Sequence, residues 1–182
     1  MDDAVYQYQH DRSPKELLFQ FTRCMVHFAV DDAQVKFCTR LQGKESWFLP
    51  FNKGYKDGAG NPPNPDGLMT DYLWKQILTK DMLSRIIENY ATLVEEKDEE
   101  TGKTRYKQIF PRYHQLTAVE SLLADVKKNG VGNRYLIQHS AGSGKSNSIA
   151  WLAHQLTGLE DAQGNLLVDS VIVVTDRVVL DK

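Results

Sequence analysis

Cysteine is nearly missing. Cys24 and Cys38 are the only two, and their spacing suits neither a disulfide framework nor a zinc site, so both read as reduced core thiols. Long apolar runs are missing as well: no stretch approaches the roughly 20 apolar residues of a membrane span. The opening MDDAVYQYQHDRSP has no basic start followed by an apolar stretch of the kind that targets export. These absences lead us to expect a cytoplasmic protein without membrane contact. Surplus positive charge is lacking too. The formal net charge is −2, so contact with nucleic acid would rest on a local basic patch, and global charge neither supports nor excludes it. What is present, 41% hydrophobic and 25% charged residues over 182 positions, suffices for one good-sized core or two small ones and excludes a wholly disordered chain.

Along the chain, a polar helical start stops near Pro14. Val26, Phe28 and Val30 then alternate with polar or small neighbours, as do Val35, Phe37, Thr39 and Leu41, and Asp31-Asp32 supplies turn chemistry between the two runs. The pattern predicts a β-hairpin. SWFLPF predicts a further short strand, and NKGYKDGAGNPPNPDG, too dense in Gly and Pro for helix or ladder, predicts a loop. From Thr70 the pattern turns helical, with Leu83, Ile86, Ile87 and Tyr90 at offsets of three and four and Thr79 as N-cap. Residues 94–108, an acidic block followed by a basic one around Thr101-Gly102, read as a solvated linker or exposed hairpin. Leu116, Val119, Leu122, Leu123 and Val126 then form an apolar stripe that ends at Asn129-Gly130.

The most informative stretch is YLIQHSAGSGKSNSIAWLAHQL, residues 135–156. A strand over 134–139, a glycine-rich turn, a helix bearing Ile149, Leu152, Ala153 and Leu156, and the β-branched run SVIVVT together predict a βαβ unit of a parallel sheet. The turn carries the second half of a phosphate-binding loop, G-x-x-x-x-G-K-[ST]. Small residues there let successive backbone N–H groups point at phosphate oxygens, the lysine reaches the terminal phosphates and the hydroxyl binds magnesium. Ala141, Gly142, Ser143, Gly144, Lys145 and Ser146 supply these parts, with Ser146 assigned to Mg2+ by its spacing, while His139 holds the place of the first glycine. About thirty residues earlier, Gln115 at a helix start can present its amide to the edge of an adenine, with the ring of Phe110 or Tyr113 to cover the base. The expected ligands are ATP and Mg2+.

FPRYHQ, a helix, the glycine-rich segment and DSVIVVTDRVVLDK together resemble the opening of the first motor lobe of superfamily 2 helicases. The closest resemblance is to the restriction (R) subunit of type I restriction-modification enzymes. RSPKELLFQFTRCMVHFAVDD and FLPFNKGYKDGAGNPPNPDG resemble the part of that subunit that joins its nuclease domain to its motor. The resemblance implies an α/β protein: the C-terminal portion of a nuclease-like domain over residues 1–93, a charged linker over 94–108, and the first part of a RecA-like parallel-sheet ATPase lobe over 109–182. It also implies a role for Gln115 in reading adenine, for Lys145 and Ser146 in holding phosphate and magnesium, and for Arg177, within VTDR, in touching the DNA backbone. His139 in the glycine position resembles a feature of this restriction group.

The activity the resemblance implies is that of a type I site-specific deoxyribonuclease. Such an enzyme hydrolyses ATP to translocate double-stranded DNA and cuts it, in a complex with modification and specificity subunits. The acidic motif that activates water for ATP hydrolysis and the nuclease Asp and Glu-x-Lys group would then lie outside these residues, leaving the 182-residue piece inactive. EEK at 95–97 lacks a strand to fix it and reads as a solvated face. His10, His27, His114 and His154 have no partner at ligand spacing. Two rivals stand beside this reading: a superfamily 2 helicase or remodeller without nuclease activity, and a P-loop switch or kinase complete at this length. Against the latter, two parallel strands are too few to bury both faces of a sheet.

Overall fold

The computed structural model describes residues 1–97 and 102–175, and the chain divides into two compact units, Met1–Tyr113 and His114–Lys182. The first opens with helix α1, Asp2–Tyr6, continued by a wider helical turn over Gln7–Asp11. It is then built on a small antiparallel sheet. Strands β1, His27–Val30, and β2, Val35–Cys38, pair with His27 opposite Cys38 and Val30 opposite Val35, and β3, Leu49–Pro50, adds to the free edge of β2. The turn between β1 and β2 is set by Asp31, whose Oδ1 accepts the N–H groups of Ala33 at 2.9 Å and Gln34 at 2.7 Å, an Asx turn of the kind short acidic side chains favour. Alternation along both strands buries His27, Ala29, Val35 and Phe37. Between them they position the rings of Phe28, Phe37, Phe51 and Phe110, whose centroids lie 5.5–6.4 Å apart.

The Gly- and Pro-rich loop that follows is tied down by polar side chains. Asn61, 2% exposed, donates from Nδ2 to the Ala33 carbonyl at 2.8 Å and to Asn52 Oδ1 at 3.0 Å, and its own Oδ1 accepts the Lys53 N–H at 2.8 Å. Asn52 Oδ1 also accepts the N–H of Val35 at 2.8 Å. Thr70 donates to the Asp31 carbonyl, and the Tyr72 hydroxyl to that of Phe51 at 2.7 Å; burial pushes the Tyr72 phenol well above its ordinary pKa. Buried backbone groups that no ladder reaches are satisfied in this way. Helix α2, Lys80–Asn89, begins where expected, with Thr79 Oγ1 accepting the Met82 N–H at 3.4 Å, and it buries Ile86 beside Tyr90.

Most of the described residues of the charged segment pair as antiparallel strands, β4, Thr92–Lys97, with β5, Thr104–Ile109, from Thr92 opposite Ile109 to Lys97 opposite Thr104. This hairpin belongs to the first unit, and the unit boundary falls at Tyr113, beyond the charged segment.

In the second unit, α3, Tyr113–Asn129, buries Leu116, Val119, Leu123 and Val126 of the stripe read from the sequence, leaves Leu122 half-buried, and stops at Gly130, whose φ of +77° closes the helix. Helix α4, Lys145–Leu156, turns Ser148 and Trp151 inward and leaves Ile149 44% exposed. The expected parallel sheet requires correction. Neither 134–139 nor 170–175 forms a strand among the described residues, and Leu136, Ile172 and Val174 are 92%, 85% and 88% exposed. A parallel strand needs at least one neighbour to pair with and cover on both its faces, and the described residues pair no strand with either segment. The architecture seen is mixed α/β with small antiparallel sheets. No helix among the described residues is long and apolar enough to cross a membrane.

Candidate nucleotide-binding site

The glycine-rich segment is curled tightly before α4. Gly142 and Gly144 have φ of +71° and +80°, the left-handed region that costs a side-chain-bearing residue about 1–2 kcal/mol, and the Ser143 N–H closes a turn on the Ser140 carbonyl at 3.3 Å. Beyond Gly144 the chain enters the helix, and the Gly144 carbonyl accepts the N–H groups of Asn147 at 3.1 Å and Ser148 at 3.4 Å. The amides of Gly142, Gly144, Lys145 and Ser146 have no acceptor among the described residues. Unpaired donors at a helix start, reinforced by the helix dipole, make a ready anion site.

The side chains add to this cradle. Lys145 Nζ donates to the carbonyls of Ser140 at 3.0 Å and His139 at 3.4 Å, so the ammonium lies folded over the loop that carries it. Ser143 is 5% exposed, and its hydroxyl has no hydrogen-bond partner among the described residues. Such an orphaned buried hydroxyl is costly unless something pairs with it. Ser146, on the first turn of α4, is exposed. Together the free amides, the ammonium and the two hydroxyls match a phosphate group and its magnesium ion in charge and in donor type. Among the described residues no group of His, Cys, Asp and Glu comes together that could hold a metal by itself.

Gln115 is tied to this loop. It is 3% exposed, and its Nε2 donates to the Gly144 carbonyl at 2.8 Å. A Cβ on Gly144 would collide with that same nitrogen, so a side chain there would displace the Gln115 amide in addition to adopting a strained φ of +80°. His114, next to Gln115, was not foreseen. Its Nε2 is 3.3 Å from the Ser143 carbonyl, a hydrogen bond in the tautomer protonated at Nε2. Its ring meets that of His139 edge to face, with centroids 4.8 Å apart at 85°. His139 thus replaces a glycine at the loop entrance by packing sideways on His114. The only sequence signal for His114 was its place directly before Gln115.

Other predicted positions fall elsewhere. Phe110 is buried in the aromatic cluster of the first unit, 5% exposed among Phe28, Phe37 and Phe51, and Tyr113 packs on Phe51 and Tyr72 in that same unit. The expectation that the Phe110 ring is available to cover a base is corrected by this placement: four mutually packed rings leave it no open face. Arg177 lies outside the described residues. A cavity of about 120 Å³ between α3 and α4 is lined chiefly by apolar side chains such as Val119, Leu122, Ile137 and Leu152, together with His139 and Lys145. It is smaller than the roughly 300 Å³ at which ligand pockets begin, so a nucleotide would take the solvent side of the loop.

Residues 114–182 match the family model of the SWI2/SNF2 ATPase. That span coincides with the second unit, His114–Lys182. That region is similar to superfamily 2 helicase-like ATPases, a family that binds and hydrolyses ATP. No curated protein and no solved structure matches the chain.

Proposed function

We propose that the chain is part of the motor subunit of a type I restriction enzyme, in which ATP hydrolysis drives translocation of double-stranded DNA that the same subunit then cleaves. The observation that carries the ATP half is the loop with free amides at Gly142, Gly144, Lys145 and Ser146, tied by Gln115. In this reading Lys145 leaves the Ser140 and His139 carbonyls for the terminal phosphates, Ser146 contributes a magnesium ligand, and Ser143 gains a partner for its hydroxyl. ATP with magnesium supplies the free energy of phosphoryl transfer when bound. Gln115 links base recognition to the loop, since an adenine drawing on its amide competes with the Gly144 carbonyl. Arg177 touches the DNA backbone, and the modification and specificity subunits are the protein partners.

The restriction half rests on the resemblance of FPRYHQ, the His139-containing loop and the segments before them. The match of residues 114–182 to the SWI2/SNF2 ATPase model is equally compatible with a second reading, a DNA-dependent motor that remodels or unwinds without cutting. One experiment separates the two: the natural full-length protein, reconstituted with its partner subunits, is given circular and linear duplex DNA with ATP. Restriction predicts ATP turnover with double-strand breaks. Turnover without breaks supports the second reading, and no DNA-dependent turnover would defeat both.

A further inference from the structure

The first unit carries a groove that the nucleotide site does not use. It has a volume of about 430 Å³ and runs between β2 and β3 on one side and the β4–β5 hairpin on the other. Among the described residues, three cationic side chains, Arg40, Arg105 and Lys107, contribute to its lining against a single acidic one, Glu96. That is a local cationic excess in a chain whose formal net charge is −2. Lys107 pairs with Glu96 at 3.5 Å. The Arg40 guanidinium lies 4.8 Å from the centroid of the Phe21 ring, an arrangement that steadies the group while leaving its in-plane N–H donors for an anion.

Aromatic faces are interleaved with these cations. Trp47 is 76% exposed and Tyr106 48% exposed, and both line the groove. A tryptophan this exposed is not held in the core; its flat face is free to take a ring from outside. We propose that this groove binds single-stranded nucleic acid, with bases stacking on Trp47 and Tyr106 and backbone phosphates drawn to Arg40, Arg105 and Lys107. Alternating aromatic and cationic contacts suit a strand whose bases are unpaired and can turn toward the protein. A duplex keeps its bases stacked on one another, and a purely acidic polypeptide such as polyglutamate has no rings to offer Trp47. The site is independent of the ATP loop.

The test uses the full 182-residue chain and a fluorescent oligothymidylate, with anisotropy read at several salt concentrations. Oligothymidylate is expected to bind more tightly than a duplex of equal length. Trp47→Ala is expected to weaken binding about tenfold or more, with Trp47→Phe recovering most of the loss. The Arg40→Gln/Arg105→Gln pair is expected to lower the slope of log affinity against log salt by about 1.4. Lys145→Ala is expected to leave oligonucleotide binding intact, so failure of the nucleotide reading and failure of this one are told apart. All these side chains are exposed, and a thermal melt matching the parent establishes that each variant folds. Duplex bound as tightly as single strand, an unaltered Trp47→Ala variant, or polyglutamate competing as well as oligothymidylate would each overturn the proposal.

Discussion

The side-chain amide of Gln115 donates to the carbonyl of Gly144 at 2.8 Å, joining the start of α3 to the last residue before α4 across 29 positions of sequence. The same carbonyl caps the first turn of α4 through Asn147 and Ser148, so one oxygen couples the glutamine, the loop and the helix.

Gly144→Ala tests this junction. The new methyl group would meet the Gln115 amide and would have to adopt a φ of +80°. The backbone strain amounts to about 1–2 kcal/mol, and displacing the amide loses a hydrogen bond of about 1 kcal/mol. Denaturant unfolding of the second unit is expected to show a loss of about 2–3 kcal/mol. Adding Gln115→Ala to Gly144→Ala is expected to cost less than the sum of the two single changes, because the collision is already gone; simple additivity would show that the two residues do not interact.

Asn61→Ala should be severe for a residue in a loop. It removes the partner of the Lys53 N–H and of the Ala33 carbonyl, and each buried group left unpaired costs about 1–3 kcal/mol. The expected outcome is a loss of about 2–4 kcal/mol in the stability of the first unit, measured by denaturant titration. A loss within 0.5 kcal/mol, the range of ordinary surface changes, would mean that water replaces the asparagine.

His27 gives the first unit an acid sensitivity. It is 4% exposed, with Tyr8 and Phe19 against its ring, and burial lowers its pKa below the ordinary value. As pH falls past about 6.5 the unfolded chain takes up a proton that the folded imidazole refuses, so stability drops until the folded pKa is reached. The slope contributed is at most about 1.4 kcal/mol per pH unit. His27→Phe keeps a ring in place and is expected to remove this component from the difference between unfolding curves at pH 7 and pH 5. Equal pH dependence in the parent and the variant would contradict the assignment.

The local elements were legible where chemistry is local. The period-2 runs around Asp31 gave β1 and β2, Thr79 marked the start of α2, and the stripe from Leu116 to Val126 gave α3, because each depends on residues within a few positions of one another. The parallel strands were not, since Leu136 and Val174 have β-branched or apolar neighbours suited to a strand, but a ladder needs partners that no local pattern supplies. Phe110 was misjudged for a related reason: an aromatic residue before a helix reads alike whether its ring meets a base or Phe51. The turn at Gly142 and Gly144 was legible because a positive φ is a requirement written in the residue type itself, whereas the His114–His139 contact joins residues 25 positions apart, too far for spacing to reveal.

The most direct test of the account is calorimetric titration of ATP with magnesium into the chain and into Lys145→Ala. Among the described residues Lys145 donates only to loop carbonyls at 3.0 and 3.4 Å and is exposed, so its removal should leave the far-ultraviolet circular dichroism unchanged. A charged hydrogen bond to phosphate contributes about 1.5–3 kcal/mol. The predicted result is magnesium-dependent binding by the parent chain that weakens about ten- to a hundredfold in the variant. Equal affinity in the two proteins, or no binding by the parent, would contradict the assignment of residues 139–146 as the site that holds the triphosphate.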